Sequence, residues 1–135
     1  MASVAAQRQN KIVQCVSCIL FNQKPPLKPN IPLQVLLIQR EKDPYSGRWT
    51  IPGGRHEPFE TFQEATMREM REETGIEIDL IGRRRPSQVN EFINEHIHYI
   101  ILTSFAIPKN DQMITNREDI VTKWFPIGLE PKVLD

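Results

Sequence analysis

The sequence predicts an α/β fold in which a single helix packs on a mixed β-sheet. Strand-like segments occur in the order β-β-α-β-β-β, and the segment over residues 62–74 has the marks of a helix at both ends. The chain has 135 residues, which is enough for one hydrophobic core, so we expect a single domain over residues 1–135. Residues 1–11 precede the first strand and are expected to form a flexible N-terminus.

Two strands are predicted before the helix, at residues 12–21 and 33–40. The second contains a continuous apolar run, LQVLLIQR, which is typical of a strand buried on both faces. The segment between them, NQKPPLKPNIP, contains four prolines and is therefore predicted to be a loop. A short extended piece at residues 50–51 then leads to the glycines Gly53 and Gly54.

Both ends of the helix are marked in the sequence. Thr61 followed by Glu64 fits a capping box, and Gly75 fits the left-handed position after the last turn. The helix is therefore predicted to run over residues 62–74. Further strand candidates follow at residues 77–82, 96–107 and 121–127.

The second face of the predicted sheet has no obvious cover. Only eight residues follow Ile127, too few for another substantial helix. We therefore expect a C-terminal helix to be missing or very short. Loops, the partner subunit of a homodimer, or residues absent from a shortened chain would then cover this face.

The composition narrows the function classes. The 17 basic and 17 acidic residues cancel, whereas a surface that binds extended nucleic acid carries a basic excess. No apolar run is long enough to cross a membrane, and the first residues, MASVAAQRQN, lack the apolar region of a secretory signal. We expect a cytoplasmic protein whose partner is a small molecule.

Cys15 and Cys18 form one C-x-x-C pair. A zinc site would need two more ligands at suitable spacing, and the chain has no second pair. A thioredoxin-like redox pair opens a helix, but these cysteines lie inside the first predicted strand. We therefore interpret both as small, buried or half-buried strand residues.

Three carboxylates crowd one side of the predicted helix. At about 100° per residue, Glu69, Glu72 and Glu73 share one side of the helix, where like charges repel. Oxygen-rich clusters of this kind suit Mg²⁺ or Mn²⁺, whose charge turns the repulsion into coordination. The alternative is a solvated surface helix in which Arg68 and Arg71 balance the glutamates.

The residues around the helix form a longer pattern with fixed spacing. It consists of Gly54, Glu60, the pair Arg68-Glu69, apolar Met70, the pair Glu72-Glu73, Gly75 and apolar Ile76. This pattern resembles the box of the Nudix hydrolase family at all seven fixed positions and both apolar ones. The resemblance implies an α/β/α sandwich around a mixed β-sheet. It also implies hydrolysis of a nucleoside diphosphate linked to another group.

The resemblance implies roles for individual residues. The helix glutamates, Arg68 and Glu60 would form the catalytic set, in which Arg68 and Glu60 pair to orient Glu69. Divalent metal ions would be held by four residues of the box region and one distal glutamate: Gly53 through its carbonyl, Glu69, Glu72, Glu73 and Glu118. Asp119 is the rival of Glu118, and a solvated loop pair is the other interpretation. The general base stays open between a box glutamate and a more distant one.

One position departs from the common pattern of the family. Many relatives carry glycine immediately before the position of Glu60, where this chain has Phe59. A bulky residue with a positive φ would be strained, so we expect the loop to take another shape. That expectation leaves the placement of Glu60 open.

The box indicates a reaction but leaves the leaving group open. The segment VNEFINEHIHYIIL, residues 89–102, resembles part of the small MutT-like nucleoside triphosphate pyrophosphatases. The first hypothesis is therefore cleavage of a ribo- or deoxyribonucleoside triphosphate to a monophosphate and pyrophosphate. Predicted substrate contacts are Arg40, Tyr45, Gly54 and Phe92. The alternatives are an ADP-ribose or nucleotide-sugar pyrophosphatase, an RNA 5′-end pyrophosphohydrolase, and a Nudix-fold module that binds nucleotides without catalysis.

Overall fold

The structure is a computed structural model that describes residues 11–24, 26–40, 46–82, 85–110 and 120–127. These residues form eight strands and one helix: β1 Ile12–Leu20, β2 Gln34–Gln39, β3 Trp49–Thr50, β4 Gly53–Arg55, α1 Phe62–Thr74, β5 Ile78–Ile81, β6 Gln88–Ile93, β7 His98–Pro108 and β8 Val121–Pro126. In these ranges no helix has the length and apolarity that crossing a membrane requires.

The strands form two sheets. In the five-stranded sheet the order is β4-β1-β7-β5, and β6 also pairs with β7. β1 and β7 are parallel, from Ile12 beside His98 to Leu20 beside Ala106, while the other pairs are antiparallel. The sheet is therefore mixed, as predicted. The second sheet is antiparallel, in the order β3-β2-β8.

α1 and the second sheet cover the same face of the five-stranded sheet. Cys18 and Leu20 of β1 alternate with outward residues, point to this face and are buried. They pack in one cluster with buried residues of other elements: Leu36, Met70, Ile76, Ile78 and Ala106. Burial of each large apolar side chain stabilises the fold by roughly 1.5–3 kcal/mol. The cluster therefore fixes the position of α1 and of the glutamates it carries.

The opposite face of the five-stranded sheet is more polar. Ser17 and Thr103 share a hydrogen bond of 2.7 Å there, and the ring centroids of Phe21 and Phe105 lie 5.9 Å apart. Within the described ranges α1 is the single helix, in agreement with the predicted fold. Residues 128–135, to which the prediction of a missing or short C-terminal helix refers, lie outside the described residues.

Local hydrogen bonds set both ends of α1. The Thr61 hydroxyl accepts a hydrogen bond from the Glu64 N–H at 3.1 Å, and the Glu64 carboxylate accepts one from the Thr61 N–H at 3.4 Å. Gly75 has a φ of 73°, and its N–H donates to the Arg71 carbonyl. The capping box, the left-handed glycine and the predicted bounds of the helix are all confirmed.

Two strands are not predicted from the sequence. β4 contains two glycines, which are rare in strands, and forms because its backbone pairs with β1. β6 pairs with β7 over six residues although all of its side chains are exposed. Neither strand shows the alternation of apolar and polar residues that marks a half-buried strand. Their existence depends on the neighbouring strand.

Several predicted strand ends shift by one or two residues. β7 begins at His98 instead of residue 96, because the Asn94 side chain accepts hydrogen bonds of 2.8 Å from the N–H groups of His96 and Ile97. These bonds form a turn, and a turn cannot be part of the strand ladder. The prediction that β2 is buried on both faces is confirmed, since its consecutive residues Val35, Leu36 and Leu37 are all buried.

The two cysteines are structural strand residues, as predicted. Cys18 is 1% exposed and belongs to the core cluster, while Cys15 is half-buried, and both are free thiols. Burial raises the pKa of the Cys18 thiol to about 12 and also raises the pKa of Cys15. Neither thiol has the low pKa of a reactive cysteine.

Phe59 adopts the strained left-handed conformation, so the expectation that the loop would avoid it is wrong. Its φ is 67°, and its side chain is fully exposed. The turn is held from both sides: the Glu60 N–H bonds to the Glu57 carbonyl at 3.4 Å, and the Glu57 N–H bonds to the Glu60 carboxylate at 3.0 Å. These contacts fix the backbone around Phe59 without any packing of its ring.

We predict that Phe59→Gly stabilises the protein. Glycine relieves the left-handed strain but loses more chain entropy on folding, so the free energy of unfolding should rise by roughly 0.5–1 kcal/mol. Urea unfolding measures this change. The matched control is Phe92→Gly, another exposed aromatic but inside a regular strand, which is expected to destabilise. Equal destabilisation by both substitutions would contradict the assignment of strain to Phe59.

Candidate active site

The three helix glutamates lie at different depths beside β4. Glu73 is 8% exposed, and one of its carboxylate oxygens accepts a hydrogen bond of 3.2 Å from the Gly53 N–H. The side chain of Glu69 is 13% exposed, and that of Glu72 is 54% exposed. The exposure of the carboxylates therefore increases from Glu73, which is buried, to Glu72, which is accessible to solvent.

Gly53 and Gly54 allow β4 to lie against both β1 and α1. A Cβ atom at Gly53 would overlap the backbone of Val16 and Ser17 on β1. A Cβ atom at Gly54 would occupy the space of the Glu69 carboxylate. Gly53 thus requires glycine because fixed backbone atoms surround it, whereas a methyl group at Gly54 would displace the flexible end of Glu69. The roles of the Gly53 carbonyl as a metal ligand and of Gly54 as a substrate contact stay predictions.

Arg68 connects the loop, β4 and the helix. Its Nε and Nη2 atoms donate to the two carboxylate oxygens of Glu60 at 2.7 and 2.9 Å, and Nη2 also donates to the Arg55 carbonyl at 2.9 Å. Its Nη1 atom donates to Glu69 at 2.9 Å and to Glu72 at 3.3 Å. All five N–H groups of the guanidinium are therefore used. The predicted contact between Arg68 and Glu60 is present, and the same guanidinium holds Glu69.

The fork-shaped contact shifts the protonation equilibria of its two partners. The hydrogen bonds from Arg68 lower the pKa of the Glu60 carboxyl, and the Glu60 carboxylate raises the pKa of the Arg68 guanidinium. Both shifts favour the charged forms, as in other two-pronged arginine–carboxylate pairs.

His56 adds a link that sequence reasoning missed. Its Nδ1 atom lies 2.6 Å from the Gln14 side-chain nitrogen on β1, and its Nε2 atom lies 2.6 Å from the Glu60 carbonyl oxygen. An amide nitrogen only donates and a carbonyl only accepts, so a neutral ring with its proton on Nε2 satisfies both bonds. His56 thus ties the loop of Glu60 to β1. Its position within the box carries no fixed residue type, so the sequence offered no signal.

The carboxylates fit a hard divalent cation by their chemistry. A positive group, the Arg68 Nη1, already lies between Glu69 and Glu72. Glu69, Glu72 and Glu73 would hold Mg²⁺ or Mn²⁺ through oxygen atoms, which these ions prefer. In the part of the chain that the structure describes, no three acidic, histidine or cysteine side chains converge as a ready metal site. We therefore expect Glu72, the most exposed of the three, to turn from Arg68 toward a bound ion.

In the described ranges, the other predicted site residues are not shown in contact with the helix glutamates. Arg40 follows β2, and its backbone forms hydrogen bonds of 2.7 and 2.8 Å with the backbone of Gly47 and Arg48. Phe92 lies on β6, where its ring is 6.5 Å from that of Tyr99, on the sheet face opposite α1. The structure does not bring Phe92 to the glutamates, and the substrate contacts of Arg40 and Phe92 stay predictions. Three further predicted residues lie outside the described residues: Tyr45, Glu118 and Asp119.

Comparison with known proteins decides the family. The family model of the NUDIX domain matches residues 11–132, which is most of the chain. The chain belongs to the Nudix family. The crystal structure of a MutT Nudix hydrolase from Burkholderia pseudomallei has the same fold, with a TM-score of 0.69 over 93% of this chain and 92% of that one, at 20% identity.

Curated relatives match parts of this Nudix chain. The RNA pyrophosphohydrolase of Erythrobacter litoralis is 37% identical over 81 residues, which are 59% of this chain and 44% of that protein. The 8-oxo-dGDP phosphatase NUDT18 of Danio rerio is 36% identical over 69 residues, which are 51% of this chain and 19% of that protein. The matched part thus spans less than half of either relative.

We predict that Gly54→Ala impairs the Nudix site more than the fold. The new methyl group would displace the Glu69 carboxylate, so hydrolase turnover should fall at least about tenfold, while overpacking costs roughly 1–2 kcal/mol of stability. The matched control is Gly82→Ala, which adds strain at a φ of 93° but meets no atom closer than 3.9 Å. It should lose stability and keep its turnover. Equal turnover in the two variants would contradict the steric role of Gly54.

The pair of Arg68 and Glu60 predicts a specific acid dependence of stability. Because the folded state lowers the pKa of Glu60, its contribution is fully present above the unfolded value of about 4.3 and is lost as the pH falls through the lower folded value. Glu60→Gln cannot titrate, so its unfolding free energy should decline less steeply below about pH 5. Urea unfolding across this range measures both curves. Parallel acid limbs in the two proteins would refute the prediction.

Proposed function

We propose that this Nudix protein is a Mg²⁺- or Mn²⁺-dependent hydrolase of a nucleoside diphosphate linked to another group. The observation that supports it is the arrangement of Glu69 and Glu72 around one positive charge, the Arg68 guanidinium, beside the buried Glu73. Like charges on one helix face cost stability unless cations relieve them. A module that only bound nucleotides would have no need of three such carboxylates.

The residues would divide the chemistry among them. Divalent ions, when bound, neutralise charge on pyrophosphate oxygens and lower the pKa of a bound water. Glu69, Glu72 and Glu73 would supply the oxygen ligands, while Arg68, held by Glu60, keeps Glu69 in its orientation. A water molecule adds to one phosphorus as the anhydride P–O bond breaks. Its proton passes to a general base, which is either a box glutamate or a more distant one.

A nucleoside triphosphate, cut to monophosphate and pyrophosphate, is the first proposed substrate. It is supported by the resemblance of residues 89–102 to MutT-like pyrophosphatases. A triphosphate at an RNA 5′ end is the second candidate, supported by the Erythrobacter litoralis relative. Both offer the same anhydride to the carboxylates and differ only in what is attached to it. The cytoplasmic location and a homodimer stay predictions from the sequence.

The decisive experiment incubates the protein with Mg²⁺ and a panel of anhydrides, and it separates pyrophosphate from phosphate release. The panel holds ribo- and deoxyribonucleoside triphosphates, a 5′-triphosphate RNA, ADP-ribose and a nucleotide sugar. Monophosphate plus pyrophosphate from free nucleotides supports the first substrate, and selective trimming of the RNA supports the second. Monophosphate plus a sugar phosphate would replace both by a nucleotide-sugar pyrophosphatase. Binding without turnover of any member would overturn the enzyme assignment.

Within the same assay, Glu72→Gln should lose turnover by several orders of magnitude and remain folded, because an exposed amide cannot replace a charged oxygen ligand. The matched control is Glu77→Gln, which removes a carboxylate paired with Arg71 just after the helix. It should keep its turnover. Near-normal turnover of Glu72→Gln would exclude Glu72 as a metal ligand.

A further inference from the structure

A groove with a volume of about 1080 Å³ lies between the proline-rich loop and the adjoining ends of β5 and β7. It is separate from the candidate active site. Its edge at Asn22 follows Ser17 by five residues, and Ser17 is the β1 residue that pairs with Gly53. Five residues of extended chain cover roughly 16 Å. The groove is therefore a different surface, which we call the lysine groove.

Lysines line both walls of this groove. Lys24 and Lys28 belong to the loop, and Lys109 follows β7 on the other wall. All three are exposed, and none forms an ion pair with a described residue. Asp79 of β5 is the one acidic residue among the described lining residues. The groove therefore presents a net positive charge in a chain whose formal net charge is zero.

The loop wall is fixed before any ligand arrives. The Asn22 side chain accepts a hydrogen bond from the Gln34 N–H at 2.8 Å, and it donates to the Pro32 carbonyl at 3.1 Å. The Gln23 side chain accepts from the Lys28 N–H at 2.9 Å and donates to the Ile31 carbonyl at 3.0 Å. Because these residues are already held in place, a ligand that binds here loses less free energy to the ordering of the loop.

The groove also offers apolar surface. Trp124, which packs partly against the core cluster, lines it together with Leu27, Ile107 and Pro108. Leu27 is 52% exposed. Ligand sites combine apolar walls with a few polar groups that fix orientation, and volumes of roughly 300–1,000 Å³ are usual for small molecules. The lysine groove has both features at about this size.

We propose that the lysine groove is a second binding site, for a small anionic molecule that joins phosphate groups to an aromatic ring. The phosphates meet Lys24, Lys28 and Lys109, and the ring lies against Trp124 and its apolar neighbours. The negative charge of Asp79 repels the phosphates and lowers the affinity of the groove for the ligand. Nucleotides have this chemistry, so the site would bind them independently of the glutamates of α1.

The test titrates the full chain with ATP and with inorganic triphosphate, without divalent metal. NMR follows the Trp124 indole and the backbone N–H groups of Lys109 and Asn110. ATP should shift these signals saturably and bind more tightly than triphosphate. Replacing the three lysines by alanine should weaken ATP binding by about tenfold, because three exposed charge contacts are lost. Asp79→Asn should strengthen it. The triple variant should keep its turnover and its thermal stability.

Lys123→Ala is the matched control. Lys123 is the residue before Trp124 on β8, but its ammonium lies over the Phe125 ring, at 5.4 Å from the centroid. Adjacent strand residues point to opposite faces, so this lysine does not line the groove. The control should bind ATP like the parent chain. ATP affinity that survives loss of the three lysines would overturn the proposal, as would shifts confined to Gly53 and Glu69. Equal affinity for ATP and triphosphate would overturn the part of the proposal that places an aromatic ring of the ligand against Trp124.

Discussion

The Arg68 guanidinium is the contact on which the geometry of the site depends. It binds the Glu60 carboxylate in the loop, the Arg55 carbonyl at the end of β4, and Glu69 and Glu72 on the helix. Its planar fork has as many donors as these groups accept, which a lysine ammonium could not match in direction. The strand, the loop and the helix therefore meet in one fixed arrangement, and two like-charged glutamates share the Arg68 cation.

The close approach of β4 is the second constraint. Gly53 and Gly54 have no side chains, so the strand fits between β1 and α1, and the Gly53 N–H reaches Glu73. The buried cluster of both sheets and the helix fixes the distance across this gap. A core that packs at the density of a crystal does not adjust to an added methyl group without moving its neighbours. Packing far from the carboxylates thus determines how near they lie to the backbone.

The two sites proposed for this protein use opposite charges on one scaffold. The carboxylates of α1 would need cations to approach a pyrophosphate, whereas the lysine groove would hold anionic groups directly. β1 connects them, since Ser17 pairs with Gly53 and the loop of the groove begins just after Phe21. The formal net charge of zero gives no sign that acidic and basic residues are concentrated in two separate sites. Averaged composition argued against extended nucleic-acid binding but carried no information about local clusters.

Short-range interactions are what the sequence by itself determined. Thr61, Glu64 and Gly75 lie within one turn of the helix ends they set, so the bounds of α1 could be predicted to the residue. The box pattern likewise indicated the contact between Arg68 and Glu60 through its resemblance to a family. Only the tertiary structure decided β4 and the role of His56, because each depends on a partner distant in sequence. It also decided β6, whose exposed side chains show no alternation and which is a strand only through its pairing with the next strand, β7. It also decided the backbone conformation of Phe59. Hydrogen bonds between Glu57 and Glu60 hold this residue at a positive φ that its side chain disfavours.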